Sequence, residues 1–153
     1  MATIDPIRCV WAPETLVNRD IPIAAKDFLQ SRGLPVNVGD SCIEFGIYDS
    51  DDAFVVGQDW DYPIYITPDG YVWHGLSESE PTDQFMNSSV QHLDRFLDAY
   101  VSWFNNIDKI SDDEVGSAAS RTIAALRLDD PPAFANENSF WPMIWNDILH
   151  PSQ

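Results

Sequence analysis

Only eight of the 153 residues are lysine or arginine, and just two, Lys26 and Lys109, are lysines. A chain so poor in cations has little with which to neutralise a nucleic-acid backbone or an anionic lipid surface, since both contacts rest on Lys and Arg. Neither G-x-G-x-x-G nor G-x-x-x-x-G-K-[ST] occurs, so the usual phosphate cradles are missing too. The two cysteines, Cys9 and Cys42, form neither a C-x-x-C pair nor a dense framework. They read as reduced thiols of an intracellular protein, with a single Cys9–Cys42 bridge left open. The histidines, His74, His92 and His150, fall in no H-x-x-x-H or H-E-x-x-H spacing, which gives a metal site no local signal; surface or half-buried histidine is the expected fate. Cys42 with His74 as base lacks the Gly-rich oxyanion turn of a nucleophilic site, so Cys42 is expected to be a buried small side chain. No stretch approaches the ~20 apolar residues of a membrane span. Met1 to Pro6 carry neither the basic start nor the apolar run of a secretory signal, and a cytoplasmic protein without cofactor is expected.

What is abundant is negative charge. Twenty-five acids against eight bases give a formal net charge of −17 and a pI near 4.1. Such a field repels nucleic acid and raises the encounter rate with a basic protein, by ~10 to 1,000-fold at low ionic strength. Acidity can also serve solubility alone. Hydrophobic residues make up 44% and aromatics 12%, with six Trp, which is ample for one core in a chain of this length. A single domain over 1–153 follows, with 111–153 a helical C-terminal extension.

The run from Ile21 to Pro35 reads as a short helix with clear ends, with Asp20 as cap, Pro22 in the first turn, Gly33 in the left-handed position after the last turn and Pro35 forbidding continuation. Strands are expected at Ile43–Tyr48, Ala53–Gly57 and Tyr62–Ile66, where β-branched and aromatic runs are broken by turn formers. Tyr62, Ile64 and Ile66 alternate onto a core face, and Pro63 points to a sheet edge or a strand start. Thr67-Pro68-Asp69-Gly70 is the clearest turn, leading into Tyr71–His74. A last short strand is expected around Gln84–Met86. Ser88-Ser89-Val90-Gln91 has the capping-box form, opening a helix whose stripe is Val90, Leu93, Phe96, Leu97, Tyr100, Val101 and Phe104. Ser111–Glu114 opens another, closed by Asp129-Asp130-Pro131-Pro132, and an aromatic helix after Ser139 pins Trp141 and Trp145 to the body. Helix, antiparallel meander, then helices packed on the sheet is an α+β order.

Asp49-x-Asp51 and Asp59-x-Asp61 have the carboxylate spacing of divalent-metal or glycosidase sites, but the first lacks the Gly and Glu of an EF-hand loop; solvated turn carboxylates are the simpler reading. The remaining argument is one of surface. Asp49, Asp51, Asp52, Asp59, Asp61, Glu78, Glu80 and Asp83 fall in or beside the loops of the sheet, with Trp60 and Trp73 close in sequence. Charges steer a basic partner and an exposed Trp makes the desolvated contact. Trp73, inside a strand, is expected in the core; Trp60 is equally divided between core and surface.

Phe28-Leu29-x-x-x-Gly33-Leu34-Pro35, the acidic sheet region, Pro68-Asp69-Gly70-Tyr71-Val72 and Phe85-Met86-Asn87-Ser88-Ser89-Val90-x-x-Leu93-x-x-Phe96-Leu97 together resemble the SUKH superfamily, in its fourth group of immunity proteins. The resemblance spans about Phe28 to Phe104. It implies a non-catalytic monomeric α+β domain that binds and neutralises a toxin domain of a bacterial polymorphic toxin system, often a nuclease or deaminase. It supplies no catalytic motif, so the acidic residues and Trp60 stand as physical candidates for the interface. Three other readings compete: an acidic secretion chaperone, a metal-dependent enzyme built on the paired aspartates, and a mimic of DNA.

Overall fold

A computed structural model of the chain describes residues 7–39, 41–49, 53–75 and 83–150. Its frame is a five-stranded antiparallel meander in the order β3-β4-β5-β6-β7, made of Ile43–Phe45, Phe54–Asp59, Tyr62–Ile66, Val72–His74 and Gln84–Asn87. The predicted turn closes β5 onto β6: the Gly70 amide donates to Thr67 O at 2.8 Å, and Gly70 takes φ 91°, which a side chain would resist. Ile64, Ile66, Val72 and Met86 are buried on one face. Against that core pack α3 (Val90–Asn106) and α5 (Phe140–Leu149), with α4 (Asp112–Asp129) between them in sequence.

An element pair not anticipated precedes the sheet. β1 (Arg8–Cys9) and β2 (Leu34–Pro35) form a small antiparallel ribbon around α1 (Pro13–Leu16) and α2 (Ile23–Ser31). Gly33 takes φ 70°, as expected after α2, and a Cβ there would lie 1.9 Å from Cys9 O. Arg8 Nη2 and Arg32 Nε donate to Asp94 of α3 at 2.6 and 2.8 Å, clamping this ribbon to the helix layer.

Several sequence expectations are corrected. Pro22, not Asp20, is the N-cap of α2; proline fits there because the terminal amides of a helix have no intrahelical acceptor. Of the two places open to Pro63, an edge and a strand start, it takes the second: it is the second residue of β5, the central strand of the sheet. It is tolerated near the strand start because its carbonyl, accepting from the Gly75 amide at 2.7 Å, faces β6 beyond the last residue of that strand, where no ladder donor is needed. The cap of α3 is Ser89, whose hydroxyl accepts from the His92 amide, while Gln91 reaches away to Ala24 O. Ser111 begins α4 without a side-chain cap bond. Phe104 is 47% exposed and Trp103 is buried instead, edge to face with Trp145 of α5 at 5.9 Å. Cys42 is exposed, Cys9 half-buried, and both are free; burial pushes the Cys9 thiol up. His74 is buried outright.

Trp73 is not in the core. The registers Val55↔Tyr65, Tyr65↔Trp73 and Trp73↔Phe85 place these four in one row across the opposite, half-buried face of the sheet, with Trp73 and Phe85 edge to face at 5.4 Å.

The C-terminal helices are joined to the sheet by buried polar bonds. Asp130, at the end of α4, accepts from Asn87 Nδ2 (3.1 Å), the Ser88 amide (2.9 Å) and Ser88 Oγ (2.6 Å). Asn87 Oδ1 in turn accepts from Trp141 Nε1 at 2.8 Å. The Asn87-Ser88 segment that carries the family resemblance is thus the socket for the chain's last two helices. A short 3-10 turn, Pro131–Phe134, brings the chain back, and α5 lies beside β7.

Candidate binding surface

β4 and β5 are joined by the two residues Trp60 and Asp61, since Asp59 pairs with Tyr62. Two-residue hairpins need positive φ in the turn, a demand glycine or asparagine meets at low cost. Here the position is held by tryptophan: Trp60 has φ 57°, the one positive value on a non-glycine among the described residues, and is 70% exposed. A bulky aromatic in that conformation, pointing to water between two aspartates, gains nothing for the core.

Asp59 is half-buried, and His74 Nε2 donates to its Oδ2 at 3.0 Å across the sheet. The imidazole lies between Tyr62 (centroids 5.8 Å apart) and Phe140 (5.0 Å). Burial, then the nearby Asp59 charge, push the Tyr100 phenol up. Tyr65 donates to Asp83, and burial together with that bond raises the Tyr65 phenol far above its usual range.

Next to the hairpin opens a groove of about 1060 Å³, between the β6–β7 end of the sheet and α5. The sheet contributes Asp59, Tyr62, Trp73, His74 and Phe85 to its wall, Asp83 lies just before β7, and α5 contributes Phe140, Met143 and Asp147. Gln84 crosses its floor, donating to Asn138 O at 2.9 Å.

Of the residues expected to make a surface, Asp59, Trp60, Asp61 and Asp83 therefore gather at one end of the sheet. Asp49 follows β3 toward the start of β4, the opposite end. Asp51, Asp52, Glu78 and Glu80 lie outside the described residues. Tyr62, His74, Phe140 and Asp147 were missed as site residues. The last two depend on α5 returning to β7, which no local pattern announces; for Tyr62, its place beside Trp60 was a usable signal.

No group of three or more His, Cys, Asp or Glu placed to hold a metal ion occurs among the described residues, and no described helix is long and apolar enough to cross a membrane. An antiparallel sheet followed by packed C-terminal helices, with an acidic, aromatic end, is an α+β domain. A family model, SUKH-4 immunity protein, matches residues 9–147, and the chain belongs to that family. The match runs through α4 and most of α5. No curated protein and no solved structure matched the chain.

Proposed function

We propose that this immunity-family protein neutralises one basic, nucleic-acid-acting toxin domain by direct contact, acting as a monomer and without chemistry of its own. The observation that carries the reading is Trp60, exposed at a positive φ between Asp59 and Asp61 on a chain of net charge −17. Enzymes that act on nucleic acid present basic clefts, and an acidic face with an aromatic anchor complements such a cleft. Asp83 lies at the same end of the sheet as that anchor, and Asp49, Asp51, Asp52, Glu78 and Glu80 add to the net negative charge that steers the partner. The protein works in the cytoplasm of a bacterium, needs no cofactor, and avoids nucleic acid and membrane through its charge.

The test is capture of the tagged protein with its bound partner from its native cells at moderate salt, followed by assay of the partner with and without it. The expected result is a single basic toxin domain whose activity is abolished at one-to-one stoichiometry and restored on dissociation. A partner retained but fully active, or capture of many basic proteins alike, would overturn the proposal.

A further inference from the structure

We infer that the groove between the β6–β7 end of the sheet and α5 takes an arginine side chain from the partner. The inference rests on the toxin-binding reading and goes beyond it by naming the chemistry of one contact. Three aspartates, Asp59, Asp83 and Asp147, and no lysine or arginine stand among the described residues lining the groove. Its walls carry rings: Tyr62 is exposed, Trp73 and Phe85 are half-buried and meet edge to face, and behind them the buried His74 lies between Tyr62 and the buried Phe140. A groove with carboxylates and aromatic faces, in a protein of net charge −17, is complementary to a flat cation. Guanidinium fits both features, because it stacks on rings and bonds a carboxylate through two parallel N–H groups, whereas an ammonium is a strongly hydrated point charge. His74 fixes Asp59 through the 3.0 Å bond to Oδ2, so the carboxylate is held in place before a ligand arrives. The two residues that bracket the Trp60-Asp61 turn, Asp59 and the strand-starting Tyr62, both line the groove next to it. A partner segment seated on the Trp60 indole would therefore have its next side chains over the groove mouth.

The experiment uses the isotopically labelled full chain with blocked tri-arginine, tri-lysine and tri-citrulline peptides at physiological salt, read by amide and indole chemical shifts. Tri-arginine is expected to shift Tyr62, His74, Phe85, Phe140 and Asp147 saturably, at least tenfold more tightly than tri-lysine, and tri-citrulline to shift none of them. Asp59→Asn and Asp147→Asn should each weaken tri-arginine binding about fivefold to tenfold; Asp147 is an exposed helical position, so its variant keeps the test independent of the His74 contact. Equal binding of tri-lysine overturns the assignment to guanidinium, and shifts spread over the acidic surface without saturation overturn the groove. With the captured toxin, unchanged affinity of both variants removes the inference and leaves the function standing. A toxin that is never bound or silenced removes the function itself, whatever the peptides do.

Discussion

A tryptophan at φ 57° in a two-residue turn holds a backbone that costs an L-residue about 1–3 kcal/mol. Since Trp60 is mostly in water, that cost is not returned by packing in the free protein. Trp60→Gly should then raise stability by about 1 kcal/mol, a rise in Tm of about 2–4 °C, after allowing for glycine's greater unfolded-state freedom. The same variant should weaken toxin binding at least tenfold. Trp60→Ala separates the two effects: it loses the ring but keeps the strained backbone, so binding falls with no gain in Tm. A Trp60→Gly protein that is less stable and binds as well as the parent would make Trp60 an ordinary structural residue.

Tyr65 offers a pH signature. Burial, then the bond to Asp83, raise its phenol above the unfolded value of about 10. A raised folded pKa means that the unfolded chain gives up its proton first. The stabilisation is therefore complete below about pH 10 and is lost as pH climbs from there toward the folded pKa. Tyr48 and Tyr100 are raised as well, so Tyr65→Phe should flatten the alkaline fall in urea-unfolding stability without abolishing it. An unchanged slope would show that the phenol titrates alike in both states.

At the scale of elements, the chain is held together by bonds between residues far apart in sequence. Asp130 is 1% exposed and satisfies three donors on Asn87 and Ser88. Asp130→Ala strands those donors in a buried site and should cost about 3–5 kcal/mol. Its distinctive effect is where the loss appears: hydrogen exchange should quicken in α5 and in the 3-10 turn after α4, with β4 and β5 amides close to their parent rates at low denaturant. Uniform loss across the sheet would mean that α5 and the sheet unfold as one unit. These same bonds explain the limits of legibility. The Thr67–Gly70 turn, the α3 stripe and the Gly33 terminus were readable because turn chemistry and helical period act over a few residues. Ser89 supplanting Ser88 as cap was not, because Ser88 is taken by Asp130, 42 residues on. Pro63 pointed to an edge or a strand start, and it stands near a strand start; only the length of β6 shows why a central strand tolerates it there. The groove needed α5 laid beside β7, so its sheet half was partly visible as acids near Trp60 and its helical half was not.

For the whole molecule, a net charge of −17 acts on association before any contact forms. If the acidity steers a basic toxin domain, raising salt from about 0.05 to 0.5 M should shorten the screening length from roughly 14 to 4 Å and slow association by at least tenfold. Dissociation should change far less, because it is governed by the short-range contacts at Trp60 and the groove, which salt screens poorly once water is excluded. Stopped-flow mixing, with Trp fluorescence as the signal, measures both. Neutralising Asp49, which sits at the far end of the sheet from Trp60, should lower the association rate slightly and leave dissociation alone; Asp59→Asn should speed dissociation. Association indifferent to salt would mean that the charge serves solubility only, and the partner would then have to be recognised by shape and apolar contact at the hairpin tip.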